Sequence, residues 1–197
     1  MQSIPFSRFR ETLWKVALPV GIAFIVLVLA SRFFVGGPEF VLDEDGPIAD
    51  PAWPMVTLQG DEVTLGDYRG QTVFLNMWAS WCPPCMAELP SIARLHEAVA
   101  GEEIAVLAMS WDEEREDIED ALASRQATEL PVLLPVKEAP QGMEFTALPT
   151  TFIIAPDGRV VLRYVGAHEW DSAESLAFLR QVAALPSANE QVESPAE

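Results

Sequence analysis

The chain has 197 residues, half of them hydrophobic, with a formal charge of −18 and only two cysteines. That length and apolar share allow one sizeable core with sequence left over. So acidic a balance argues against nucleic-acid binding and against adhesion to anionic lipid headgroups.

The first element in chain order is Val16 to Ala30, an unbroken apolar run of fifteen residues between Lys15 and Arg32. The long stems of those two cations can carry their charges to opposite interfaces. As a helix, the stretch between them spans about 24 Å, slightly less than the hydrocarbon thickness of a bilayer. Trp14, Phe33 and Phe34 suit the interfaces. Residues 1–35 hold four bases against Glu11, a net +3 that leaves −21 for the rest, and Glu39, Asp43, Glu44 and Asp45 come after the run. The positive-inside rule then gives a cytoplasmic N-terminus at 1–12 and a transmembrane anchor at 13–35. A cleaved signal peptide is the alternative, since the run has h-region length and Val28-Leu29-Ala30 offers small residues to a peptidase. Both readings export the remainder of the chain. Residues 36–50 read as an acidic Pro/Gly linker, 51–186 as one folded domain, and 187–197 as a polar, disordered tail.

Met55 to Leu65 reads as a small hairpin turning at Gly60, and Val73 to Trp78 as a strand. That strand runs into Trp78-Ala79-Ser80-Trp81-Cys82-Pro83-Pro84-Cys85, and a helix-like run from Met86 to Val99 leaves it. Both cysteines therefore stand at a strand-to-helix junction, three residues apart. Unpartnered N–H groups and the macrodipole at a helix start favour a thiolate, so Cys82 is the expected nucleophile. Cys85, one turn on, can displace a partner from a mixed disulfide on Cys82. Prolines are tolerated there because a first turn lacks intrahelical acceptors for the missing N–H groups. Competing readings are a structural disulfide, which stabilises little across so short a loop, a pair of inert buried thiols, and a zinc site. Zinc needs about four ligands, and only His96 and His168 could join the cysteines; no metal and no cofactor is expected.

WCPPC after a strand resembles thioredoxin-like proteins, and more closely the membrane-tethered thiol-disulfide oxidoreductases of the TlpA/ResA/DsbE type, with the similarity running over roughly Pro54 to Leu185. The resemblance implies a thioredoxin-like α/β fold: a three-layer sandwich in which a central mixed sheet is flanked by helices, with an N-terminal β-hairpin. Asn76 stands where thioredoxins proper carry a buried aspartate, and Glu88 where the TlpA/ResA group uses a glutamate. Glu88 is thus expected as a proton acceptor for Cys85; read from the residues alone it is an exposed helical glutamate. Pro90 is expected to bend the helix.

Farther on, Ile104 to Met109 suits a central strand covered on both faces. Ser110 to Glu113 offers a capping box for a helix with Ile118, Ala121 and Leu122 inward. Pro131 to Pro135 reads as an edge strand, and Lys137 to Thr146 as a loop with room for one helical turn. Residues 111–135 resemble the insertion of the TlpA/ResA group. Leu148-Pro149-Thr150-Thr151-Phe152 resembles the segment in which a cis proline abuts the active-site sulfurs and the preceding residue pairs with substrate. Trp81, Pro83, Pro84, Leu148 and Pro149 are accordingly the expected substrate-binding residues. Pro156 to Arg159 is a turn into a last strand, Val160 to Val165. His168 is read as exposed, with a place at the groove as the alternative. Asp171 and Glu174 suggest a capping box for a helix that buries Leu176, Leu179 and Val182.

The expected activity is dithiol-disulfide exchange, reducing exported proteins outside the bacterial inner membrane. What the resemblance adds is partners: a membrane thiol donor of the DsbD/CcdA kind, and substrates such as apocytochrome c or copper-assembly proteins. Membrane contact runs through the N-terminal helix alone. The alternatives are an oxidant that introduces disulfides and a copper-binding metallochaperone, for which Met86 is the nearest soft third ligand. A peroxidase of the peroxiredoxin type would want threonine three residues before Cys82, where Ala79 stands.

Overall fold

The computed structural model describes residues 40–187. The expected anchor, residues 1–12, Gly36 to Glu39 and the tail from Ala188 lie outside them. Among the described residues no helix is long and apolar enough to cross a membrane.

In chain order the elements are β1 (Pro54–Thr57), β2 (Glu62–Thr64), a 3-10 helix (Leu65–Tyr68), β3 (Thr72–Trp78), α1 (Pro83–Ala98), β4 (Ile104–Ser110), α2 (Arg115–Ser124), β5 (Val132–Pro135), β6 (Thr150–Ile154), β7 (Val160–Val165) and α3 (Ala173–Ala183). They build a seven-stranded sheet in the order β2-β1-β5-β4-β3-β6-β7. The pairs β3/β4 and β4/β5 are parallel, whereas β6 runs antiparallel to β3 and β7 to β6.

Because side chains alternate across a strand, β3 divides the core in two. Phe74, Asn76 and Trp78 point to one face; Phe74 and Trp78 join the cluster that holds Leu89 and Ile92 of α1, Ile118 of α2 and Phe178 of α3. Val73, Leu75 and Met77 point to the other, against Trp53, Leu65, Met143 and Phe152. The buried faces of all three described helices thus belong to one cluster. On the opposite side the expected helical layer is replaced by the 3-10 helix and irregular segments around Trp53 and Met143, which bury large side chains without regular structure. Every residue of β3 is buried, which is why this strand reads as a continuous apolar run with a single amide in it.

Several local expectations are corrected. β5 is an inner strand: β1 pairs with it antiparallel and the hairpin covers its outer side. Pro135 fits because it lies at the strand's last residue, where a missing N–H matters least. The helix expected after Ser110 starts at Arg115 behind Glu114, with no side-chain cap, because Ser110 and Asp112 are engaged elsewhere. At α3 the cap falls one residue late: Ser172 accepts from the Ser175 N–H, while Asp171 pairs with Arg94 at 2.6 Å. Leu179 and Val182 are buried as expected, Leu176 packs half-buried against the same core, and Phe178 joins them as a buried side chain. Residues 137–146 contain a turn closed by Met143 N–H on the Pro140 carbonyl and no helix.

The acidic stretch read as a linker belongs to the domain from Phe40 onward. Asp43 N–H donates to Val161 O, Val160 N–H to Pro47 O and Ala49 N–H to Gly158 O, each at 2.9 Å. The start of β7 and the turn before it, residues 158–161, are therefore covered rather than left as an open edge. A Cβ at Gly46 would collide with the Val160 carbonyl, so only glycine allows so close an approach. Phe40 packs on Trp170 and Phe178 with ring centroids 5.9 and 5.0 Å away. Phe40→Ala is expected to lower the unfolding free energy by about 2 kcal/mol. Chemical denaturation would show this, and an unchanged midpoint would mean the arm is not part of the cooperative unit.

Candidate active site

The site begins where β3 ends. Trp111 N–H donates to the Trp78 carbonyl at 2.9 Å. Asp112 then grips the following loop: its carboxylate accepts from Ser80 N–H at 2.9 Å, from Ser80 Oγ at 2.7 Å and from Ser110 Oγ at 2.7 Å. The residues expected to cap α2 thus tie the end of β4 to the loop that delivers Trp81 and Cys82.

Cys82 and Cys85 form a disulfide, with Cα atoms 5.3 Å apart. Cys82 is the N-cap of α1, and its Sγ accepts from Cys85 N–H at 3.3 Å. Pro83 and Pro84 occupy the first helical positions, as expected of residues lacking an N–H. A thiolate on Cys82 after reduction would keep this donor and the positive end of the α1 dipole, both of which lower a thiol pKa. Access differs between the two sulfurs. Cys82 lines an open groove with Trp81, Pro83, Pro84, Trp111, Phe145 and Leu148, whereas Cys85 is fully buried and lines none of it. Trp81 is 68% exposed at the rim. The Leu148–Pro149 peptide bond is cis, and Leu148 brings the segment before β6 to the groove. Of the expected substrate-binding residues, Trp81, Pro83, Pro84 and Leu148 line the groove; Pro149 sits just behind it, its carbonyl accepting from Gly166 N–H at 2.9 Å.

Glu88 lies three residues beyond Cys85 on the buried face of α1. It is 2% exposed, contrary to the solvated glutamate that its residue type alone suggests. Its Oε1 accepts from Asn76 Nδ2 at 2.8 Å, and its Oε2 from His168 N–H at 3.0 Å and Trp170 Nε1–H at 3.1 Å. Asn76 Nδ2 also donates to Thr151 Oγ1 at 2.9 Å, while its Oδ1 has no partner among the described residues. Ser91 Oγ donates to the Glu88 carbonyl at 2.8 Å and accepts from Trp170 N–H at 3.1 Å, joining α1 to the segment before α3. Burial pushes the Glu88 carboxyl up to about 7, and the donors from Asn76, His168 and Trp170 oppose that rise.

His168 is not an exposed histidine. Its ring packs against Phe40, Tyr164 and Trp170, and Nε2 lies 3.2 Å from Ser175 Oγ. Burial holds its pKa below the usual range. His96 stays apart, half-buried in the last turn of α1. Pro90 lies inside α1 and deprives the Met86 carbonyl of its helical donor; the Met86 side chain packs half-buried against the core. Among the described residues no three His, Cys, Asp or Glu side chains gather where they could hold a metal ion. Sequence reasoning missed Trp170, Ser91, Thr151 and Asp112. Nothing local marks them, because each acts through a partner 32 to 82 residues away.

Comparison with known proteins gives a consistent picture. The AhpC/TSA family model matches residues 46–163. Thiol-disulfide oxidoreductase ResA of Bacillus subtilis (strain 168) is 30% identical over 141 residues, 70% of this chain and 78% of the relative. Thioredoxin-like protein YneN of the same strain is 31% identical over 118 residues, 59% of this chain and 69% of the relative. The crystal structure of a Chlorobium tepidum protein described as a thiol:disulfide interchange protein DsbE superposes with a TM-score of 0.58 at 28% identity, covering 71% of this chain and 99% of that one. The chain belongs to the AhpC/TSA family, with thioredoxin-like architecture and ResA-type oxidoreductases among its homologues.

The raised pKa of Glu88 has a defined thermodynamic sign. Between the ordinary 4.5 and about 7 the folded protein holds a proton that the unfolded chain has released. Glu88 therefore lowers stability as pH rises through that window. Relative to Glu88→Gln, the wild-type unfolding free energy is expected to fall by about 3 kcal/mol across it. Denaturant titrations of both proteins over the range measure this, and parallel pH profiles would show that Glu88 titrates normally.

Proposed function

We propose that this member of the AhpC/TSA family is a thiol-disulfide oxidoreductase that reduces disulfides in exported proteins. The observation that carries the reading is the asymmetry of the dithiol: Cys82 opens on an apolar groove, and Cys85 is sealed behind it.

In the reductive direction the Cys82 thiolate attacks one sulfur of a substrate disulfide. The substrate bond breaks, its second sulfur leaves as a thiolate that solvent protonates, and a mixed disulfide forms on Cys82. Glu88 takes the proton from the Cys85 thiol. The Cys85 thiolate then attacks Cys82 Sγ, forming the intramolecular disulfide and expelling the remaining substrate sulfur. Two electrons have passed from the protein dithiol to the substrate. A carboxyl poised near 7 is matched to that proton transfer, since acid–base groups work best close to the ambient pH. Trp81, Pro83, Pro84 and Leu148 form the surface on which an extended substrate segment lies, with Pro149 supporting Leu148 from behind.

The anchor expected at 13–35 would hold the domain outside the bacterial inner membrane, and the oxidised protein would be recycled by a membrane thiol donor of the DsbD/CcdA kind. Apocytochrome c and copper-assembly proteins are the substrate candidates that the family resemblance supplies.

Two measurements test the reading. Cys85→Ser is expected to accumulate a mixed disulfide with a disulfide-containing substrate, whereas Cys82→Ser accumulates none; trapping on Cys85 would reverse the assigned roles. The Cys82–Cys85 midpoint potential, followed by tryptophan fluorescence in thiol buffers, is expected at or below about −220 mV. A value near about −120 mV would make the protein an oxidant instead.

A further inference from the structure

Glu88 lines a different opening from the one that Cys82 lines. The groove that Cys82 lines does not include Glu88 among its walls. A second cleft is lined by Ala87, Glu88, Ala167, His168 and Glu169 and shares no residue with the first. Ala87, Ala167 and Glu169 are exposed and form its mouth, while Glu88, nearly inaccessible, lies at its floor. The cleft holds about 330 Å³, many times the roughly 30 Å³ that one water occupies in the liquid.

The hydrogen bonds around the carboxyl fit a proton that comes and goes. Oε2 is doubly occupied by His168 N–H and Trp170 Nε1–H, whereas among the described residues Oε1 accepts from Asn76 alone. An oxygen with two acceptor sites and one donor keeps a lone pair for a proton. The charged and titratable groups around the cleft are His168 and Glu169, Glu174 at the start of α3, and the Arg94–Asp171 pair. None of them forms an ion pair with Glu88 among the described residues. A substrate protein seated over Cys82 would also exclude water from the groove, so a proton released there would be trapped beneath the interface.

Resting on the disulfide-exchange reading above, we propose that Glu88 exchanges its proton with solvent through the Ala87/Ala167/His168/Glu169 cleft, so that substrate docking and proton release use separate openings. When Cys85 resolves the mixed disulfide, its S–H bond breaks and the proton goes to Glu88 Oε1. The thiolate's electron pair forms the bond to Cys82 Sγ, and the substrate sulfur departs with the pair of the broken S–S bond. Glu88 accepts that proton only when ionised, so a protonated Glu88 first releases its own proton to water in the cleft, and the proton taken from Cys85 leaves by the same route afterwards.

The test plugs the mouth. Ala87→Leu/Ala167→Leu replaces two exposed alanines, neither of which lines the groove, in the full chain. The reduced protein is mixed with excess peptide carrying one intramolecular disulfide, and decay of the mixed disulfide is followed by rapid acid quench in H₂O and D₂O. The resolving step is expected to slow by roughly tenfold, part of the 10²- to 10⁴-fold that a positioned base contributes. A larger solvent isotope effect and an unchanged Cys82–Cys85 midpoint potential should accompany it. Resolution at the wild-type rate would overturn the proposal, and so would a slower rate with the wild-type isotope effect. If the wild-type protein forms no mixed disulfide at all, the failure lies with the disulfide-exchange reading instead.

Discussion

A carboxyl buried with no cation beside it among the described residues is the constraint around which this domain is arranged. Glu88 is held by three N–H groups from two places: the Asn76 amide on β3, and the His168 backbone and Trp170 indole in the segment before α3. Such donors offset only part of the desolvation of a charge, so the group sits near neutrality rather than fully ionised. To keep it there, α1 must press Glu88 against β3 while the segment after β7 folds over it. The ring cluster of Phe40, Tyr164, His168 and Trp170 seals that segment from the outside.

The same packing makes the two cysteines unequal. A helix that starts at Cys82 turns Cys85 inward by one turn, onto the face that also carries Glu88 and Leu89. Asp112 fixes the loop before Cys82 from the end of β4, and Trp111 beside it walls the groove. Cys82 at the groove and Glu88 on the buried face are thereby separated by less than two turns of one helix. The groove is lined mostly by apolar side chains, among them Trp81, Trp111, Phe145 and Leu148.

Much of this was legible in the chain. The spacing of Cys82 and Cys85 at a strand-to-helix junction, the two prolines after Cys82 and the strand from Val73 to Trp78 all depend on neighbours within a few residues, and the structure reproduces them. Leu148-Pro149 could be placed against the sulfurs only through its resemblance to a known segment. Local capping patterns were less dependable. Ser110 and Asp112 have the chemistry of a helix start, yet the Ser110 hydroxyl donates to the Asp112 carboxylate and that carboxylate holds Ser80, because a partner brought by the sheet outcompeted the orphan N–H groups of α2. Pro131 to Pro135 looked like an edge because prolines usually mark one, but the hairpin from β1 pairs with its outer side. Likewise the acidic residues 40–50 have linker composition, and their backbone nonetheless pairs with β7.

The sequence by itself therefore determined the redox pair, the strand and helix that carry it, and the alternation that puts Asn76 on the same face as Phe74 and Trp78. Each of these comes from periodicity and backbone chemistry over short range. Tertiary structure alone decided that Glu88 is buried, that Trp170 and the His168 backbone hold it, that Phe40 packs onto the domain, and that Cys82 and Glu88 line separate clefts. The reason is that burial and hydrogen-bond partnership are properties of what surrounds a residue, and for Glu88 the surroundings come from residues 12 to 82 positions away.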